Sequence, residues 1–163
     1  MTDAILQLTV NGTTHRCVAR PGDLLSTVLV RELGLTSVRP EPDSGAIGTS
    51  TVLLDGAPVL ASLMLARQAK GRTITTAEGL HGEGGGEHPL RRSFHAHGVD
   101  TLDGAPGLLV AAAALLAANP RPTVEDVRRG LAGNLCGGTG YRHIVAAVQE
   151  AAGDIVNARE VQS

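Results

Sequence analysis

Residues 107–118 read GLLVAAAALLAA, a helix-length run without a polar side chain. A helix that is apolar on every side has no face to offer water, so other elements must surround it. The run is also too short to span a bilayer, which takes about 18 to 20 apolar residues. The chain is therefore expected to build layers around one buried central helix, opened by Pro106-Gly107.

The flanking sequence supplies the partners. His88-Pro89 starts a helix expected to run to about Gly98, with Pro near the first helical position. Thr123 and Asp126 resemble a capping box, and Val124, Val127 and Leu131 then form an inward stripe. A last helix is expected from near Thr139, carrying Ile144, Val145 and Val148 inward. Four helices with short connections predict an antiparallel four-helix bundle.

The N-terminal half has a different period. Leu6, Leu8 and Val10 alternate with polar residues up to Asn11-Gly12, a strong hairpin signal, and residues 14–19 form the return strand. Pro21-Gly22-Asp23 leads into a helix with Asp23 as expected N-cap, an apolar face at Leu24, Leu25, Val28 and Leu33, and a stop at Gly34. A polar segment precedes a strand at residues 51–54; Asp55-Gly56 turns the chain, and another short strand falls near residues 72–76. Strands wrapped about one helix suggest a small β-grasp domain. Gly82, Gly84, Gly85 and Gly86 mark a flexible linker rather than a phosphate loop, because no Gly-Lys-Ser/Thr follows. The expected layout is α+β: a β-grasp domain at 1–78, a linker at 79–89 and a helical bundle at 90–163.

Charge and composition narrow the function. Fourteen basic and sixteen acidic residues give a net charge of -2, no general attraction for nucleic acid or anionic lipid. One Phe, one Tyr and no Trp leave no stacking platform for bases. Two separated cysteines, Cys17 and Cys136, make no secreted disulfide framework, and the first residues lack a basic, apolar leader. A cytoplasmic, soluble chain is expected.

The stretch GNLCGGTGY, residues 133–141, has the shape of a ligand loop with a single sulfur. In the order VNG, ELGLT, TVLLDG, TITTAEGL, HPL, PG and GNLC-GTGY, the chain resembles the small iron–sulfur subunit of the xanthine dehydrogenase, aldehyde oxidoreductase and carbon monoxide dehydrogenase family. That resemblance implies a plant-ferredoxin-like β-grasp domain and a four-helix bundle, each holding one [2Fe–2S] cluster on four cysteines. It also implies partners, an FAD-bearing medium subunit and a large molybdopterin-bearing subunit, between which electrons pass.

Carried onto this sequence, the family's ligand pattern C-x4-C-x2-C falls on Pro42, Ile47 and Ser50, with the fourth ligand on Ser62. In the bundle the positions are Thr101, Gly104, Cys136 and Gly138. Seven of the eight are not cysteine. Such clusters are gripped by soft thiolates, whereas Ser and Thr hydroxyls are hard and stay protonated near neutrality. The expectation is a degenerate subunit with no cofactor in this chain, no metal and no catalytic residue. Cys136 then reads as a small apolar remnant, and Cys17 as core.

Lesser candidates remain. Glu87, His88, His95 and His97 would make a zinc site only if they converge, and otherwise form a polar helix face. Asp100 and Asp103 place charge where the resemblance puts a shielded cluster. The function expected is a redox-silent structural subunit bridging FAD-binding and large molybdenum-hydroxylase-type subunits. The alternatives are an electron-transfer subunit with a residual cluster, and a stand-alone enzyme or binding protein reusing vacated pockets.

Overall fold

The computed structural model describes residues 2–39, 47–135 and 140–161, and among them are five strands and five α-helices in a mixed α/β fold. Strands β1 (Ala4–Val10) and β2 (Thr13–Ala19) pair antiparallel in unbroken register from Ala4↔Ala19 to Val10↔Thr13. Asn11 (φ 50°) and Gly12 (φ 80°) both take positive φ, giving the two-residue turn whose twist suits paired strands. Asp55 and Gly56 repeat the device between β3 (Thr51–Leu54) and β4 (Ala57–Leu60). Sequence pattern did not show β4. It is an edge strand carrying Pro58, tolerated there because an edge leaves N–H positions unpaired. β5 (Thr73–Thr75) runs parallel to β1 and antiparallel to β3, which gives the sheet order β2-β1-β5-β3-β4.

Helix α1 (Leu25–Leu33) ends at Gly34, left-handed at φ 66°, as expected. Its start differs. The capping residue is Leu24, with no side-chain cap bond, and Asp23 lies one residue too early to serve. The Asp23 carboxylate instead accepts from Arg20 N and from Arg31 Nη2, each at 2.9 Å. Those two contacts hold its pKa below the ordinary carboxylate value.

Helices α2 (Pro89–Ala96), α3 (Ala105–Ala118), α4 (Val124–Gly130) and α5 (Tyr141–Val161) pack together, α3 touching α2 and α4 while α5 touches the same two. The Thr123–Asp126 capping box forms in both directions. The apolar helix α3 is enclosed over its first half, where it also lies against β3 and β4, while Ala117 and Ala118 at its end are exposed.

Two cores result, one holding Leu6, Leu8, Leu25, Leu29, Val52, Leu54 and Ile74, the other Leu90, Phe94, Leu108, Val127, Leu131 and Ile144. Strand β3 serves both: Val52 and Leu54 enter the first, while Leu53 points the other way and packs against the second. The glycine-rich stretch between the halves is folded rather than strung out. Gly82 N donates to Gly86 O at 2.8 Å, and His81 forms a β-bridge with Glu87.

Phe94, 2% exposed, is the largest fully enclosed side chain of the second core. Phe94→Ala should cost about 3 to 5 kcal/mol, read as a lower urea midpoint with little change in slope.

Candidate functional site

The β3–β4 hairpin brings together Ser50 and Ser62, two positions expected from the sequence as cluster ligands. Thr51 pairs with Leu60, so Ser50, just before β3, meets the 3-10 turn Ala61–Leu63 that follows β4. Ser50 Oγ and Ser62 Oγ lie 2.8 Å apart, both buried. Ser62 N donates to Ser50 Oγ at 3.3 Å, and Ala61 N to Ser50 O at 3.1 Å. A bond between two hydroxyls requires a proton on at least one of them, so the pair is a protonated, hard set. Ile47 is 46% exposed, and its carbonyl accepts from Leu135 N at 2.8 Å. Pro42 lies outside the described residues.

In the second region Thr101 is exposed, and its hydroxyl donates to Gly98 O at 3.1 Å. Gly104 caps the start of α3 and has no side chain to offer. Cys136 and Gly138 lie outside the described residues. The two nearby carboxylates turn to the surface: Asp100 pairs with His95 Nδ1 at 2.7 Å, and Asp103 with Arg39 Nη1 at 2.7 Å.

The histidines of the candidate zinc set separate. His88 Nδ1 accepts from Leu90 N at 3.1 Å and caps α2, while His97 Nε2 meets Glu150 at 2.6 Å on α5. Among the described residues no group of three or more His, Cys, Asp or Glu is placed to hold a metal. Beside this helix lies a cleft of about 450 Å³, floored by Phe94, Pro106 and Leu109 and rimmed by Ser37, Glu78 and Arg91. Burial pushes the Glu78 carboxyl up, but bonds from Ser37 and Thr76 outweigh it and leave the pKa lowered. The Arg91 guanidinium is committed to the carbonyls of Ala77 and Leu80. Cys17 is fully buried in the first core, as expected.

One residue of the GNLC stretch has a role that its sequence position does not reveal. Asn134, 6% exposed, donates from Nδ2 to Gly48 O and to Thr51 Oγ1, each at 2.9 Å. It ties the loop after α4 to the entry of β3. Only its position within the motif hinted at this, because a buried amide cannot be told from an exposed one by spacing.

The chain as a whole is similar to known proteins. The [2Fe-2S] binding domain family matches residues 76–149. The nicotinate dehydrogenase small FeS subunit of Eubacterium barkeri is 39% identical over 93% of this chain and 96% of its own. The xanthine dehydrogenase iron-sulfur-binding subunit of Escherichia coli O157:H7 is 41% identical over 88% of this chain and 91% of its own. The solved quinoline 2-oxidoreductase of Pseudomonas putida 86 superposes with a TM-score of 0.86 at 34% identity, covering 96% of this chain and 97% of that one. The aldehyde oxidoreductase of Desulfovibrio desulfuricans ATCC 27774 gives 0.85 at 38% identity over 94% of this chain, which spans 17% of that longer chain. The chain belongs to the family of small iron–sulfur subunits of xanthine dehydrogenase-type oxidoreductases.

This membership corrects the expectation of a chain without cofactor. The matched family is one of [2Fe–2S] binding, and the relatives are named as iron–sulfur subunits, so a [2Fe–2S] group is what the relationship indicates. The described side chains at the positions expected as ligands do not fit that group: two hydrogen-bonded hydroxyls, an isoleucine, a surface threonine and a glycine offer no thiolate. At these positions donor chemistry and ancestry point in opposite directions.

His88 yields a pH prediction. Burial, and then the Arg91 charge, pull its pKa below the ordinary 6.5, so the fold favours the neutral ring that caps α2. The contribution is complete above the unfolded value and is lost as pH falls below it. Thermal melts of wild type and His88→Ser should diverge on going from pH 7.5 to 5, the wild type losing more stability because serine caps without titrating.

Proposed function

We propose that the chain works as the structural small subunit of a xanthine dehydrogenase-type complex. It packs between an FAD-binding medium subunit and a large molybdopterin-type subunit and relays no electrons between them. The observation that carries this reading is the buried Ser50–Ser62 hydroxyl pair, set in a fold that otherwise keeps the family's shape. A hydroxyl pair has no accessible redox couple, whereas the sheet, the Thr123–Asp126 cap and both apolar cores are formed. The relatives named as subunits of nicotine, nicotinate, xanthine and caffeine enzymes support a heteromeric setting. In this reading residues 1–78 are a β-grasp domain, 79–89 a connecting loop and 90–163 a four-helix bundle. The complex is cytoplasmic; no helix among the described residues is long and apolar enough to cross a membrane.

The test is co-expression with FAD-binding and molybdopterin-type subunits of the same genome, followed by affinity purification through this chain. A stable ternary complex is expected, in which substrate or dithionite reduces the flavin with no electron passing through this subunit. Elution of the chain alone overturns the bridging role. Stoichiometric iron and acid-labile sulfide with bands that bleach on reduction overturn its electrical silence.

A further inference from the structure

The contact at Gly48 joins three segments that lie far apart in sequence. Gly48 O accepts from Asn134 Nδ2 at 2.9 Å and from Thr51 Oγ1 at 2.8 Å, while the same Asn134 amide donates to Thr51 Oγ1 at 2.9 Å. The three groups form a closed triangle of bonds away from water. A second rung runs beside it, from Leu135 N to Ile47 O at 2.8 Å. The third segment is the first turn of α3, where a Cβ on Gly107 would stand 2.2 Å from Gly48 O. Gly48 itself is left-handed at φ 81°, and a Cβ there would meet Gly133 O at 2.4 Å. No side chain fits between these backbones, so the approach is set by glycine on both sides.

We propose that this junction is a mechanical coupling, which makes the loop entering β3 and the loop leaving α4 move as one body. The inference rests on geometry and is independent of the function proposed above. Asn134 is anchored on its own side by Asn134 N donating to Leu131 O at 2.9 Å, at the end of α4. Its side chain then reaches across to the other loop with both amide protons engaged. Hydrogen bonds weaken steeply with angle and distance, so neither loop can shift without stretching the whole triangle. One coupled loop carries Ile47 and Ser50, two positions expected as ligands, and the other, Asn134 and Leu135, directly precedes Cys136 in sequence. Gly104 lies three residues before Gly107 on the helix that braces them. A ligand or partner subunit that orders one loop therefore orders the other, and by linkage the influence is equal in both directions.

The experiment is amide hydrogen exchange on the full chain, wild type against Asn134→Ala and Thr51→Val. Asn134→Ala should raise exchange about tenfold at the Leu135 and Thr51 amides together, with the β1–β2 hairpin and α5 unchanged. Thr51→Val, made on the opposite loop, should raise exchange at Leu135 in the same sense by a smaller factor. Faster exchange confined to residues 131–135 in Asn134→Ala, with Thr51 at the wild-type rate, overturns the coupling. If Asn134→Ala does not fold, Thr51→Val decides alone: an unchanged Leu135 rate sinks the proposal.

Discussion

Both sides of strand β3 are packed against apolar residues. Its odd and even residues enter two different apolar cores, with Val52 and Leu54 in one and Leu53 against the other. Burying each such side chain stabilises by about 1.5 to 3 kcal/mol, and here a single short strand draws on both cores. This is how the first half of the apolar helix α3 is kept from solvent. The two halves meet through a shared layer rather than across a gap.

The same arrangement separates what the fold requires from what a cluster requires. Metal binding normally stabilises the loops that supply its ligands. Where thiolates are absent the loops need other ties, and the structure supplies them. Ser50 and Ser62 bond each other, Asn134 spans to Gly48 and Thr51, and Thr101 turns back to Gly98. Each tie is a neutral hydrogen bond worth about 1 kcal/mol net, so several are needed where a cluster would serve alone. Membership in an iron–sulfur family is a property of this chain, and the described residues at its expected ligand positions, Ile47, Ser50, Ser62, Thr101 and Gly104, carry no sulfur.

Much of this was legible in the sequence because the signals are local. Asn11-Gly12, Gly34 at the end of α1, the Thr123–Asp126 box and the unbroken apolar stretch of α3 each depend on residues within one or two turns. What escaped depends on distance in the chain. β4 is an edge strand whose proline disguises it, and it is defined only by pairing with β3. Asp23 looks like a cap until Arg20 and Arg31 claim its carboxylate. The histidines at 88, 95 and 97 look like a cluster until helix geometry and α5 send each to a separate partner. Asn134 is the sharpest case, since its partners lie 86 and 83 residues away and leave no periodic trace.

Cys17 sits in β2 with no exposed surface, and its thiol is kept protonated by burial and by the nearby Glu32 charge. A thiolate-seeking reagent therefore gains access only in molecules whose β2 has momentarily left the sheet. Its alkylation rate gives a direct count of those departures, so the hairpin carries its own built-in gauge of how often the N-terminal half opens.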